Sequence, residues 1–266
     1  MIIIKIGGGS EIHWEYIAQN LKRFTNKNKV VIVHGASTLR DSIGNKLNVH
    51  TQTVVSPSGI SSVYTDDKAL EVFLMAYAGV ANKTIVAQLL KHAIPAVGLT
   101  GVDGKLWTAR AKPDLFVKEG NKVRLLRNNH TGRVETVNAS LLKSILDEGY
   151  VPVITAPAIT ESGNIVNTDN DWATAVTAGA LHAQSILYLF EAAGLLKDFS
   201  DPNSVISHID KHALQLYFPH AQGRMKKKLL GAQEAFKRGV KQIYFGDGRI
   251  KNPIDSALSG NGTIIS

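Results

Sequence analysis

The sequence predicts an α/β protein, with a mainly parallel sheet and helices on both of its faces. Three observations carry this. Short apolar runs rich in β-branched residues, such as 1–4, 30–33, 94–100 and 185–190, read as strands covered on both sides. Stretches with helical periodicity separate them, which is the pattern of crossover connections. The first two strands each end in a turn of small residues that opens a helix: Gly7-Gly8-Gly9-Ser10 and His34-Gly35-Ala36-Ser37.

In chain order, residues 12–24 have helical periodicity with mixed charge. After the strand over 30–33, Ser37 is expected to cap a helix over 38–47. Residues 50–55 alternate as an edge strand or hairpin arm, and Ser56-Pro57-Ser58-Gly59 forms a loop. Residues 65–92 carry a long helical pattern with Thr65, Asp66 and Asp67 at its start, where caps and acidic residues belong; Gly79 and Asn82 are expected to divide it. The strand over 94–100 precedes a β-rich region (105–110, 114–118, 122–127 and 133–136), with Glu119-Gly120-Asn121 as a hairpin turn. Asn138 should cap a helix ending at Glu148. A strand over 151–154 and a hairpin at Ser162-Gly163-Asn164 lead to Asn167-Thr168-Asp169-Asn170-Asp171. A small-residue helix then spans 172–181, with Asp171 readable as its N-cap. The remainder reads as a strand (185–190), a helical candidate (206–214), a basic helix (225–238), a strand (242–245), the turn Gly246-Asp247-Gly248, a short helix (254–258) and a closing strand (263–265). A lobe boundary is placed at 182–185, so that residues 1–183 and 184–266 form two lobes.

Chemistry enters at the first loop. Lys5 interrupts an isoleucine run two residues before Gly7, Gly8 and Gly9. In open α/β sheets ligands sit at the carboxyl ends of the strands. Glycines there let backbone N–H groups approach a phosphate where the helix dipole favours negative charge. Lys5 would aim its ammonium at the same anion. The bland alternative is a snorkelling lysine beside a flexible turn. The loop at Gly35 and Ala36, if adjacent, would complete one anion cradle. The residue order is not that of a Walker A loop.

Composition narrows the classes. The 266 residues include no cysteine, which excludes disulfides, zinc-thiolate sites and cysteine nucleophiles, and is compatible with a cytoplasmic location. No residue set reads as a protein metal site. No apolar run approaches ~18 residues, so no membrane span is expected. The start lacks the basic region of a signal peptide. The net charge of +8 suits a polyanionic partner. Basic residues are scattered except for Lys226-Lys227-Lys228, with no aromatic interleaving, so nucleic acid is not the expected partner.

An ordered set of motifs spans nearly the whole chain: K-I-G-G-G at 5–9, V-H-G-A-S at 33–37, S-P-S-G at 56–59 with Y-T-D at 64–66, N-K-T-I-V at 82–86, G-L-T-G-V-D at 98–103, V-N-A-S at 137–140, N-T-D-N-D at 167–171 and M-K-K-K at 225–228. This resembles the amino acid kinase family, within it the N-acetylglutamate kinase branch, and most closely the LysZ-type kinases of lysine and arginine biosynthesis. The resemblance implies an open three-layer αβα sandwich, an N-terminal acyl-acceptor lobe and a C-terminal nucleotide lobe. It implies ATP with Mg²⁺ and phosphoryl transfer to the side-chain carboxylate of aminoadipate or glutamate, whose amino group is held on an acidic LysW-type carrier protein. A homodimer formed through the long helix over 65–92 is also implied. By resemblance Lys5 and Lys228 are the two phosphate-bridging lysines and Asp171 organises them. Gly8 and Gly9 bind the transferring phosphoryl group, Gly35 and Ala36 form the second loop, and Asn167 holds the main-chain part of the substrate. Gly7, Glu191, Gly194 and Lys228 fall on the nucleotide side.

Four positions depart from the family pattern. Val63 stands where a substrate-clamping arginine is usual, with Ser61 nearby. Ala36 and Ser37 replace glycines, Phe190-Glu191-Ala192-Ala193-Gly194 alters the nucleotide motif, and Arg224 replaces a glycine. Three readings follow: a carrier-linked carboxylate kinase, a kinase of a free metabolite in the manner of N-acetylglutamate kinase, and a non-catalytic regulatory relative.

Overall fold

The first strand, β1 (Ile2–Ile6), shows how alternation divides the molecule. In the computed structural model, which describes every residue except Asn121 and Gln222, Ile2, Ile4 and Ile6 enter one apolar core and Ile3 enters the other. With a period of two, Lys5 shares the face of Ile3. A lysine in that register is buried beneath helices rather than turned to solvent.

The chain continues through α1 (Trp14–Thr25), β2 (Val30–His34), α2 (Ser37–Lys46), β3 (Gln52–Val55) and β4 (Ser61–Tyr64). One long helix follows in three segments: α3 (Asp67–Leu74), a π-helical segment (Met75–Ala81) and α4 (Asn82–Lys91). Then come β5 (Ala96–Thr100), β6 (Trp107–Ala111), β7 (Leu115–Glu119), β8 (Lys122–Leu126), β9 (Thr131–Val137), α5 (Ala139–Asp147), β10 (Val151–Thr155), β11 (Ala158–Ile159), β12 (Ile165–Thr168) and α6 (Asn170–Ala180). The remaining stretch holds β13 (Ser185–Phe190), β14 (His208–Ile209), a 3-10 segment (Lys211–His220), α7 (Arg224–Lys237), β15 (Gln242–Asp247), α8 (Pro253–Leu258) and β16 (Thr263–Ile265).

Eight strands form one sheet in the order β14-β16-β15-β13-β1-β2-β10-β5. Every neighbouring pair is parallel except β15–β16. Cores line both faces, so the expected open αβα sandwich stands. β1 lies at the middle, with β2 on one side and β13 on the other, and the loops after these strands share one edge. Four strands outside the sheet, β6, β9, β11 and β12, close a small barrel that sequence reading did not anticipate.

Several local expectations change. Ser37 is not the cap of α2: Ala36 holds that place, and the Ser37 hydroxyl donates to the Gly8 carbonyl at 3.2 Å. Asp169, not Asp171, caps α6 by accepting the Trp172 N–H at 3.0 Å. Gly79 and Asn82 do not break the long helix, which runs from Asp67 to Lys91 by widening into a π turn. It is long and apolar enough to cross a bilayer by length and composition. Here Val72, Phe73, Ala76, Ile85 and Leu89 bury its apolar side against the cores. Residues 206–214 form strand β14 and some of a 3-10 segment, because His208 and Ile209 pair with β16. Asp66 and Asn138 cap their helices as expected, by accepting the N–H groups of Ala69 and Leu141. The β7–β8 hairpin forms as expected, although Asn121 in its turn lies outside the described residues.

Candidate active site

Capping by Asp169 places Asp171 in the first turn of α6 with its carboxylate turned inward. Lys5 rises from the sheet below, its Nζ 2.8 Å from Asp171 Oδ1. Lys228 reaches in from α7, its Nζ 3.2 Å from Oδ2. Gly231 permits this approach, because a Cβ there would stand 3.0 Å from the Asp171 carbonyl oxygen. All three side chains are buried. Burial raises the Asp171 pKa, but the charges of Lys228 and Lys5 outweigh it and hold the carboxyl well below the usual range. Burial pushes the Lys228 ammonium down to about 8, with Asp171 opposing. Two ammonium groups around one carboxylate leave a net positive charge, which suits an anion. The Lys228 Nζ also stands 5.4 Å from the Phe190 ring centroid, within cation–π range.

The two small-residue loops meet beside this bridge. A Cβ on Gly8 would lie 2.4 Å from the Ala36 nitrogen and 2.6 Å from the Ser37 nitrogen, so only glycine fits. Gly35 donates its N–H to the Ile6 carbonyl and Gly7 to the Leu189 carbonyl, which ties β2 and β13 to the β1 loop. Ala36 is buried as part of one apolar core. Gly9 abuts the Glu191 carboxylate, which accepts the Glu11 N–H at 2.8 Å. The nucleotide-side candidate Glu191 is therefore at the loop. Gly194 is not: it packs against Thr263 and Val205, where the Thr263 hydroxyl accepts the Leu195 N–H.

A buried polar frame holds the second loop. Thr155 and Asn170 both donate to the His34 carbonyl, at 2.9 and 2.8 Å. The Asn82 amide nitrogen lies against the Val153 carbonyl and His34 Nε2, so Nε2 accepts and the imidazole proton sits on Nδ1, facing Gly35. Burial lowers the His34 pKa to about 4, so the ring is neutral at neutral pH. Asn170 and Thr155 were not singled out by sequence reading. Asn170 lies inside a recognised motif, but its contact becomes visible only when β2, β10 and α6 meet.

Asn167 donates to the Thr65 hydroxyl at 3.0 Å, beside the β3–β4 hairpin. Val63 pairs directly opposite Thr53 on that hairpin. Next to Thr53 lies an open polar cleft of about 290 Å³, lined by Arg40, Asp41, His50 and Arg224 among others. A cavity of about 400 Å³ between the start of α1 and α4 holds none of the residues above. Among the described residues no cluster of three histidine or acidic side chains could hold a metal.

The amino acid kinase family model matches residues 1–247. The chain belongs to the amino acid kinase family. Among its relatives are the LysW-aminoadipate kinases of Deinococcus radiodurans, 40% identical over all of this chain and 91% of that protein, and of Thermus thermophilus, 38% identical over the whole of both. A LysW-aminoadipate/LysW-glutamate kinase of Metallosphaera sedula is 31% identical over the whole of both chains. Solved structures share the fold. The N-acetylglutamate synthase of Neisseria gonorrhoeae, bound to coenzyme A and N-acetyl-glutamate, superposes with a TM-score of 0.78 at 20% identity over all of this chain and 59% of that one. The carbamate kinase of Giardia lamblia bound to AMP-PNP gives 0.67 at 15% identity, over 99% of this chain and 97% of that one. Within the amino acid kinase fold, the Lys5–Asp171–Lys228 bridge and the paired loops occupy the carboxyl edge of the parallel strands.

Proposed function

We propose that the protein transfers the γ-phosphoryl group of ATP to the side-chain carboxylate of aminoadipate or glutamate, held by its amino group on an acidic LysW-type carrier protein. The single observation that carries this reading is the buried Lys5–Asp171–Lys228 bridge beside a backbone N–H cradle. Full-length similarity to LysW-aminoadipate kinases supports the acceptor, and the +8 charge suits an acidic carrier.

The chemistry asks for little covalent help. The acceptor carboxylate is ionised at neutral pH, so no general base is needed. Its oxygen forms a bond to the γ-phosphorus as the bond to the β–γ bridging oxygen breaks, giving an acyl phosphate and ADP. Alignment and cations around the equatorial oxygens lower the barrier. Lys5 and Lys228 are those cations, and Asp171 keeps both in place without neutralising the pair. The N–H groups around Gly8, Gly9 and Ala36 cradle the phosphoryl group, with Gly35 shaping the second loop while its own N–H stays on the Ile6 carbonyl, and Asn167 and the Val63 face border the acceptor. Gly7, Glu191 and Gly194 belong to the nucleotide side, in a lobe formed by 184–266 against an acceptor lobe formed by 1–183. Mg²⁺ comes with the phosphates of ATP, since magnesium keeps few protein ligands at such sites. A homodimer through the helix Asp67–Lys91 completes this reading.

One observation favours a second reading. The Glu191 carboxylate rests on the glycine loop, where it repels phosphates and must turn aside for ATP. A regulatory relative that binds no nucleotide would keep it there. Titration with Mg·ATP, followed by hydroxylamine trapping of acyl phosphate on carrier-linked and free aminoadipate and glutamate, separates the readings. Trapped product on the carrier is expected. The absence of both ATP binding and product would leave the regulatory reading.

A further inference from the structure

Outside the lysine bridge, a cleft between α2, β3 and the start of α7 brings two arginines together. Arg40 contributes a side chain that is 10% exposed. Its Nε and Nη2 both donate to one Asp41 oxygen, at 2.9 and 2.6 Å. Nothing among the described residues takes its remaining N–H groups. Arg224, at the first position of α7, is exposed and makes no hydrogen bond or ion pair among the described residues. Arg40, Arg224 and His50 thus line a cleft whose single carboxylate is that of Asp41. Two arginines that share one carboxylate and keep spare planar donors are suited to a second.

The position of the cleft says which one. Arg40 lies one helical turn beyond the cradle, its N–H bonded to the Ala36 carbonyl. Thr53 lines the cleft and stands opposite Val63, so the two side chains share a face of the hairpin. The Lys226 ammonium donates to the Ser58 carbonyl at 3.3 Å, which holds the hairpin tip against α7. Arg40, one turn from the cradle loop, and Arg224, two residues before the lysine that holds the hairpin tip, therefore both border the hairpin.

We propose that Arg40 and Arg224 form the subsite for the α-carboxylate of the acceptor, doing from α2 and α7 what no side chain at Val63 can do. This rests on the phosphotransfer reading above. Because Arg40 and Arg224 come from the two lobes, a bound α-carboxylate also draws the nucleotide helix onto the acceptor.

The test uses Arg224→Gln, an exposed position whose change leaves the core intact, with Lys27→Gln as a control for lost surface charge. Acceptors are carrier-linked aminoadipate and carrier-linked 5-aminopentanoate, which keeps the reacting carboxylate and lacks the α-carboxylate. Arg224→Gln should lower kcat/KM for aminoadipate about tenfold or more, the scale of a charge-assisted hydrogen bond, chiefly through the acceptor KM. It should change 5-aminopentanoate little, and the control should change neither. An equal loss on both acceptors would assign Arg224 to the carrier surface and overturn the proposal, as would no loss at all. If the wild-type protein phosphorylates no acceptor, the phosphotransfer reading fails on its own. The cleft is then judged by titrating N-acetyl-aminoadipate and N-acetyl-5-aminopentanoate into the protein with Mg·ADP. A preference for the first that Arg224→Gln removes supports the subsite, and the absence of a preference overturns it.

Discussion

Asp171 and its two lysines concentrate the consequences of single changes. Under the proposed phosphotransfer, removing either ammonium deletes a transition-state cation, so Lys5→Ala and Lys228→Ala should each lower kcat by ~10²-fold or more in the acyl-phosphate assay, with the fold retained. Asp171→Asn leaves two buried like charges face to face. Breaking a buried pair in this way costs roughly 3–5 kcal/mol, and denaturant unfolding should report a loss of that size. The lowered Lys228 pKa sets a pH limit. Lys228 must be charged to meet phosphate, so kcat/KM should fall as pH rises through about 8. Bound phosphates favour the ammonium, so the corresponding fall in kcat should lie at higher pH. Coincident limbs would remove Lys228 from the nucleotide. His34 works in the opposite direction on stability. Its folded pKa is about 4, whereas an unfolded histidine titrates near ~6.5. The unfolded chain therefore binds the extra proton, and stability should decline as pH is lowered from about 6.5 toward 4, by up to roughly 3 kcal/mol. Melting temperatures across that window measure it.

At the level of elements, the site depends on how closely β1, β2 and the long helix approach one another. Gly8 faces backbone atoms of Gly35, Ala36 and Ser37, which cannot yield as a flexible side chain would. Gly8→Ala should therefore separate the two loops and abolish Mg·ATP binding by calorimetry while the sheet persists. Gly98 on β5 meets a side chain instead: a Cβ there would strike the carboxamide oxygen of Asn82, a residue fixed by its bonds to His34 and Val153. Asn82 sits where the π turn returns to α-helix and holds both His34 and the β10 backbone. The widened turn thus serves to aim a polar side chain into the sheet edge, a use that π turns often have. The glycines of the first two loops were legible as a phosphate cradle; that Gly8 and Gly98 are required by packing was not, because the atoms they meet lie far along the chain.

For the molecule as a whole, the long helix buries one side in the cores and leaves Met75, Val80 and Leu90 about half exposed. An apolar helix side of this kind suits a second copy of the chain. Light scattering should give the mass of a dimer, and Val80→Glu should shift it toward the monomer without loss of helical signal. An unchanged mass in Val80→Glu would place the contact elsewhere. The two small-residue loops and the lysine bridge gather at the carboxyl edge of one continuous sheet, and the arginine cleft lies outside that sheet, between α2, β3 and α7.

By itself the sequence determined the alternation of strand and helix, the parallel sheet, the glycine loops and the candidacy of Lys5; Asp171 and Lys228 became candidates only through the family resemblance. The former are local matters: period two or 3.6, residues that permit tight turns, and a charge inside an apolar run. It was silent or mistaken where the deciding partner is distant. Ser37 looked like a cap, yet the Gly8 carbonyl lies within reach of its hydroxyl. Asp171 looked like a cap, yet Asp169 takes that place and frees Asp171 for the lysines. Residues 206–214 looked helical, yet His208 and Ile209 pair with the last strand and only 211–214 enter a 3-10 segment. Arg40 and Arg224 stand far apart in the chain, and only the packing of α2, the hairpin and α7 makes them one cleft. Local chemistry proposes the components, and long-range burial and hydrogen bonding decide which of them face each other.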